Sequence, residues 1–222
     1  MRACVVIPAY NAASTIGPLI RHIHTLSLSA IVVNDGSTDK TAEVAVQAGA
    51  VVISHVQNQG KGTALRSGFA YALQAGFEAI VTLDGDGQHD PAEIPRLLEA
   101  ASASDAAIIV GCRTIDSTAM PWARRCTNRV MSRVISWAVR QNIPDSQCGF
   151  RVIRRHVLER MHLSTERFEI ETEMLLAAAR LGWPITSVPI KTIYENHSSH
   201  IKPVSDSLRF VRLMLRYLLS SS

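Results

Sequence analysis

The chain has 222 residues, 47% of them hydrophobic and 19% charged, which suits one α/β core of ordinary size and excludes intrinsic disorder. Lys and Arg outnumber Asp and Glu by 23 to 19, a net charge of +4, compatible with phosphorylated ligands, nucleic acid or anionic membrane and selective for none of them. Cys4, Cys112, Cys126 and Cys148 are widely spaced with no C-x-x-C pair, which argues against a zinc cluster or disulfide framework and favours a reduced, cytoplasmic setting.

No charged-then-apolar leader precedes the first strand-like run, and no apolar run reaches roughly 18 residues, so neither a signal peptide nor a membrane span is expected. In chain order, Ala3–Ile7, Ala30–Val33, Ala50–Ser54, Ala79–Leu83 and Ala106–Val110 read as short Val/Ile-rich strands. They lack polar alternation, so burial on both faces is expected. Between them Ile16–Leu26, Thr41–Ala48, Lys61–Ala75 and Ala92–Ala101 carry helical stripes; in the third, Leu65, Phe69, Ala72 and Leu73 share a face. Thr38-Asp39 offers a cap for the second helix, and Asp90-Pro91 a cap and N1 proline for the fourth. The rhythm predicts right-handed crossovers and a mainly parallel central sheet with helices on both faces.

The second half is less regular. Trp122–Arg140 reads as a long helix, Gly149–Ile153 as a strand, Glu169–Leu181 as a helix with Ile170, Met174, Ala177 and Leu181 on one side, and Thr186–Tyr194 as an alternating strand. Asn196–Val204 is polar and irregular, and Asp206–Leu219 is an amphipathic helix. With no repeat or linker, a single domain over 1–222 is the simplest reading. The cysteines and Trp122, Trp137 and Trp183 read as packing residues.

In a parallel α/β sheet, ligands bind beyond the carboxyl ends of the strands. The polar clusters here all follow strands: Pro8-Ala9-Tyr10-Asn11, Asn34-Asp35-Gly36-Ser37-Thr38-Asp39, Asn58-Gln59-Gly60-Lys61-Gly62 and Asp84-Gly85-Asp86-Gly87-Gln88-His89. In the last, two carboxylates two residues apart on a Gly-loosened turn can reach one hard cation, and oxygen ligands of this kind suit Mg²⁺ or Mn²⁺. Asp35 reads either as a turn cap or as a carboxylate for a base edge or ribose hydroxyl. Neither G-x-G-x-x-G nor a P-loop occurs: Gly60-Lys61-Gly62-Thr63 lacks the upstream glycine, the position being His55.

These four clusters, from Val6-Ile7-Pro8-Ala9-Tyr10-Asn11 through Val33–Thr41 and Asn58–Gly62 to Leu83–His89, resemble in order and spacing the successive motifs of family 2 glycosyltransferases. Gly111-Cys112-Arg113 and Asp145-Ser146-Gln147-Cys148-Gly149-Phe150-Arg151 resemble the subgroup containing dolichyl-phosphate mannose synthase and bacterial polyprenyl-phosphate glycosyltransferases. The likeness spans residues 3 to about 194. It implies a GT-A fold, with a nucleotide-sugar-binding half (about 1–112), an acceptor-side half (about 113–204) and a terminal helix (205–222). It also implies roles. Pro8, Tyr10, Asn11 and Asp35, with Lys61, Asp84 and Gly85 nearby, would hold the nucleotide sugar. Asp84, Asp86 and Gln88 would hold Mg²⁺ or Mn²⁺ on the diphosphate, and Arg113 and Arg151 would meet acceptor or phosphate charge.

The likeness implies an inverting, metal-dependent transfer of a sugar from a UDP- or GDP-linked donor to a lipid-linked, polyprenyl-phosphate-like acceptor or to a hydroxyl. An acceptor phosphate needs no general base; a hydroxyl does, and Asp145 is the candidate, with Glu169, Glu171 and Glu173 read as helix-dipole partners. The segment Glu195–Pro203 departs from the basic stretch of the mannose synthases; Lys202 could serve in its place, and His197 and His200 read either as contacts to the metal or diphosphate or as residues of a solvated loop. In the last helix Arg209, Arg212 and Arg216 form a basic stripe beside Leu and Val, fit for peripheral contact with the cytoplasmic face of a membrane or for packing on a domain or a second copy. A nucleotidyltransferase and a non-catalytic nucleotide-sugar-binding module are the rival readings; nucleic-acid binding is not expected.

Overall fold

The computed structural model describes residues 1–113, 122–191 and 203–219, with the side chains of 122–124 and 203–208 outside that description. One seven-stranded sheet runs through them: β1 (Ala3–Ala9), β2 (Ser29–Asn34), β3 (Val51–Ser54), β4 (Ala79–Thr82), β5 (Ile108–Arg113), β6 (Arg151–Arg154) and β7 (Ile185–Ile190), in the order β3-β2-β1-β4-β6-β5-β7. All neighbours are parallel except β6, which runs antiparallel to β4 and β5. The helices are α1 (Ala13–Thr25), α2 (Thr41–Gln47), α3 (Lys61–Gln74), α4 (Ile94–Ala103, led by a 3₁₀ turn at Pro91–Glu93), α5 (Trp122–Val139), α6 (Arg155–Arg160), α7 (Ile170–Arg180) and α8 (Pro203–Leu219).

The chain winds outward through β1, β2 and β3, then returns through α3 to β4 on the other side of β1. Right-handed crossovers in opposite directions put α1 and α2 on one face and α3 on the other. The expected α3 stripe is the buried one, with Leu65, Phe69 and Ala72 no more than 4% exposed. A Cβ on Gly68 would stand 2.4 Å from Val6 Cγ1, so glycine is what lets α3 lie directly on β1. The reversal opens a crevice between β1 and β4, where the strands diverge beyond Val6 and Thr82. Pro8 fits there: Val6 O accepts from Leu83 N and Ala9 O from Asp35 N, so Pro8, which has no N–H, faces the side that β4 has left.

Several elements differ from expectation. β1, β2 and β4 are buried, but β3 is an edge strand, which accounts for its partial exposure. Helix α6 was not anticipated, since six residues are too few for a periodic signal. Helix α7 is buried almost all round from Ile170 to Leu176, Glu171 and Glu173 included, while Leu181 is exposed. Asp90 caps as expected, accepting from Ala92 N at 2.9 Å. Asp39 binds Thr41 N at 3.0 Å and also Ala13 N at 3.1 Å, tying the starts of α1 and α2 together. All four cysteines are free; Cys4 and Cys148 are buried, Cys126 is exposed. Trp137 is not packed but 71% exposed on α5. His197, His200 and Lys202 lie outside the described residues.

Candidate active site

The loops after β1, β2 and β4 meet at the crevice. Asn11, at a positive φ of 52°, takes Thr38 N on its side-chain oxygen at 2.9 Å and donates its own N–H to Ser37 Oγ at 2.9 Å. Thr15 Oγ1 donates to Gly85 O at 2.6 Å and so anchors the acidic turn to α1. Within that turn Gln88 N bonds Asp86 Oδ1 at 3.0 Å, which closes the turn over Gly87. Pro8, Tyr10, Asn11, Asp84, Gly85, Asp86 and Gln88 are thus brought to one place, with Tyr10 39% exposed at the mouth.

The antiparallel β6 brings the second half of the chain to the same edge. Arg151 pairs with Thr82 at the carboxyl end of β4, so the segment before it, Asp145–Phe150, lies beside the acidic turn. A Cβ on Gly149 would fall 2.8 Å from Asp84 Oδ2, 2.8 Å from Glu171 Oε1 and 2.9 Å from Lys61 Nζ. Lys61 Nζ lies 2.6 Å from Asp84 Oδ1 and 2.5 Å from Glu171 Oε1. Burial works against both charges of the Lys61–Asp84 pair. Asp84 and Glu171 nevertheless raise the Lys61 ammonium, and Lys61, with His89 and Arg113, holds the Asp84 carboxyl below its ordinary range.

Two expected roles are corrected by their surroundings, and a third is narrowed. Asp145 is 3% exposed and grips Arg113 through both oxygens, Nε–Oδ2 at 2.7 Å and Nη2–Oδ1 at 2.8 Å, with Asn128 Nδ2 at 2.9 Å. Burial raises its pKa, but these donors bring it below the usual carboxylate value, so it is a poor general base. Arg151 is fully buried and donates to the carbonyls of Cys148, Glu171 and Ser146 at 2.6–2.8 Å; it shapes the 146–151 turn and cannot meet an acceptor. Asp35 is 3% exposed and accepts from Gln59 N at 2.9 Å and Gly60 N at 2.8 Å, with His55 Nδ1 at 2.8 Å. It holds the Asn58–Gly60 loop, leaving one accepting direction on Oδ2 for a base.

Sequence reasoning passed over Glu171, His89 and Glu173. Glu171 and Glu173 look like first-turn carboxylates, and only the buried neighbours on every side of α7 mark them as interior. Glu173 accepts from the N–H and hydroxyl of both Ser164 and Thr165 at 2.6–3.0 Å. That pins Glu166, whose carbonyl accepts Gly62 N at 2.7 Å and Thr63 N at 3.2 Å. The N-terminus of α3 is therefore capped by the chain itself and is not a phosphate cradle. His89 packs at a tilt of 54° against Phe150, 5.4 Å between ring centroids, 5% exposed, and its Nδ1 has no hydrogen-bond partner among the described residues.

A doubly wound sheet with an Asp-x-Asp turn at its switch point, flanked by held cations, has the architecture of a nucleotide-binding α/β protein. The sequence profile described as glycosyl transferase family 2 matches residues 4–161, and the chain belongs to that family. It is 32% identical to glycosyltransferase AglJ of Haloferax volcanii over 209 residues, 91% of this chain and 67% of that one. It is 28% identical to polyprenol monophosphomannose synthase of Mycolicibacterium smegmatis over 203 residues, 85% of this chain and 76% of that one. Its fold is similar to glucosyl-3-phosphoglycerate synthase of Mycobacterium tuberculosis in complex with Mn²⁺, uridine diphosphate and phosphoglyceric acid: TM-score 0.75, 22% identity, 98% of this chain and 77% of that one. The fold is GT-A, and the protein is a glycosyltransferase similar to the polyprenyl-phosphate branch.

Proposed function

We propose that the protein transfers a sugar, with inversion, from a nucleoside diphosphate sugar to a polyprenyl phosphate, with a divalent cation on the diphosphate. The observation that carries this reading is the convergence of Asp84, Asp86 and Gln88 with Lys61 and Arg113 at one sheet edge. Among the described residues no group of three His, Cys, Asp or Glu could hold a metal, and none is needed. Two carboxylates and an amide leave positions for phosphate oxygens, the arrangement Mg²⁺ and Mn²⁺ favour when they bind with a nucleotide. A cation held by Asp84, Asp86 and Gln88 would neutralise charge growing on the departing nucleoside diphosphate.

The chain's own residues supply the rest. Pro8, Tyr10 and Asn11, with Oδ2 of Asp35, border the nucleoside; Gly85, anchored by Thr15, lets the turn approach the diphosphate. Arg113, fixed in orientation by Asp145, presents positive charge toward the reacting groups. With Asp145 locked to Arg113, the arrangement suits an acceptor oxygen that is already anionic. A phosphate attacks without giving up a proton, and the name of the Mycolicibacterium smegmatis relative, polyprenol monophosphomannose synthase, puts mannose on a polyprenol monophosphate.

A second feature supports work at a membrane surface. On α5, Val130, Val134 and Trp137 are 59%, 39% and 71% exposed; on α8, Val211, Leu215 and Leu218 are 51%, 54% and 39% exposed. Trp137 and Leu218 line one shared depression, so the stripes join, and exposed Arg129, Arg133, Arg212 and Arg216 flank them. Among the described residues no helix is long and apolar enough to cross a membrane; the contact proposed is peripheral.

The test is release of nucleoside diphosphate from UDP-, GDP- and dTDP-sugars with Mn²⁺ or Mg²⁺, with and without polyprenyl phosphate, alongside Asp86→Asn. Metal-dependent release from one donor, stimulated by the lipid and lost at least a hundredfold in the variant, is expected. No release from any donor overturns the reading.

A further inference from the structure

Lys61 bridges two carboxylates of unequal exposure. Asp84, at 26% side-chain exposure, faces the crevice; Glu171, at 6%, faces the interior. The Lys61 side chain is itself only 12% exposed. Its ammonium has the Phe168 ring 5.7 Å away on one side and Gly149 on another, where no Cβ could fit. So the positive charge has an inner seat, made of Glu171, Phe168 and the bare Cα of Gly149, and an outer contact on Asp84. A divalent cation at Asp84 and Asp86 would compete with Lys61 for the Asp84 carboxylate, and the two cations repel each other.

We infer that Lys61 is an internal stand-in for the divalent cation, and that Glu171 is the positioning residue that receives the Lys61 ammonium when the cation takes Asp84. The inference rests on the proposed metal dependence. Its logic is electrostatic. With no cation bound, Lys61 keeps Asp84 from being an unpaired, half-buried charge. When the cation arrives, the ammonium moves onto a carboxylate already within hydrogen-bond distance, without being driven into solvent and without leaving Glu171 bare. Helix α7 thereby sets metal affinity although it contributes no ligand.

Mn²⁺ binding to the metal-free chain, read from the electron paramagnetic resonance of the free ion, alone and with UDP or GDP present, tests this without turnover. Glu171→Gln leaves Lys61 no second anchor and should weaken Mn²⁺ roughly tenfold, the effect of one close charge contact. Lys61→Met combined with Glu171→Gln has the net charge of the unaltered chain but no stand-in, and should bind roughly tenfold more tightly than the unaltered chain. Equal weakening in both variants would mean that Glu171 acts through its charge alone and would overturn the inference, as would an unchanged affinity in Glu171→Gln. If the double variant does not fold, Lys61→Met alone decides: affinity must rise, and an unchanged or lower value overturns the inference. Failure of the unaltered chain to bind Mn²⁺ under any of these conditions overturns the metal-dependent reading as well, whereas binding abolished by Asp84→Asn but insensitive to the Lys61 and Glu171 changes overturns only this inference.

Discussion

His89 sits directly after the acidic turn, 5% exposed against Phe150. Burial pushes its pKa down to about 4; nearby Asp84 opposes this, and Arg113 and Lys61 add to it. The unfolded chain protonates this imidazole near pH 6.5, the folded chain only near 4. The stability that depends on keeping it neutral is therefore complete above about pH 6.5 and is lost as pH falls toward 4, amounting to about 3 kcal/mol. Thermal melting of the metal-free chain should show a midpoint that drops across this window, and His89→Gln should flatten the drop. At this scale, residue type and spacing alone were enough to single out Asp84, Asp86 and Gln88 as candidates, because they stand two positions apart. It was uninformative for Asp145, Arg151 and Asp35. Each is defined by partners 3 to 32 residues away, and those partners tie up Asp145 and Arg151 and leave Asp35 one accepting direction.

Among the elements, α7 contributes most to the site without having been credited with it. Glu173 satisfies two N–H groups and two hydroxyls of Ser164 and Thr165; through Glu166 O it holds the first turn of α3 and so Lys61. Glu173→Ala leaves buried donors unsatisfied and should cost about 2–4 kcal/mol in urea unfolding. Amide exchange at Gly62 and Thr63 should accelerate more than exchange in the centre of the sheet. An unchanged exchange rate at those two amides would show that the cap on α3 is held by something other than Glu173. The strands were legible in sequence because β1, β2 and β4 are buried on both faces and read as unbroken apolar runs. That β6 would run backwards was not, since strand direction leaves no mark on a four-residue apolar pattern.

At the scale of the molecule, the membrane contact proposed for the joined stripes of α5 and α8 has a direct test. Sedimentation with vesicles rich in anionic phospholipid should recover the chain, and zwitterionic vesicles should recover much less. Trp137→Glu with Leu215→Glu should lower the recovery roughly tenfold or more, since both charges enter the apolar stripe. Equal recovery of the double variant would remove the stripes from the membrane reading while leaving the donor chemistry untouched.

The sequence by itself determined the alternation of strands and helices, the family and the acidic turn, because each is written in short-range pattern: periodicity, caps and residues a few positions apart. Only the tertiary structure decided which charged groups stand at the site and which are held inside. That choice depends on burial and on partners brought together by sheet order. The antiparallel insertion of β6 sets Asp145, Gly149 and Arg151 beside β4, and the packing of α7 sets Glu171 against Lys61. No local pattern encodes a contact across 110 residues.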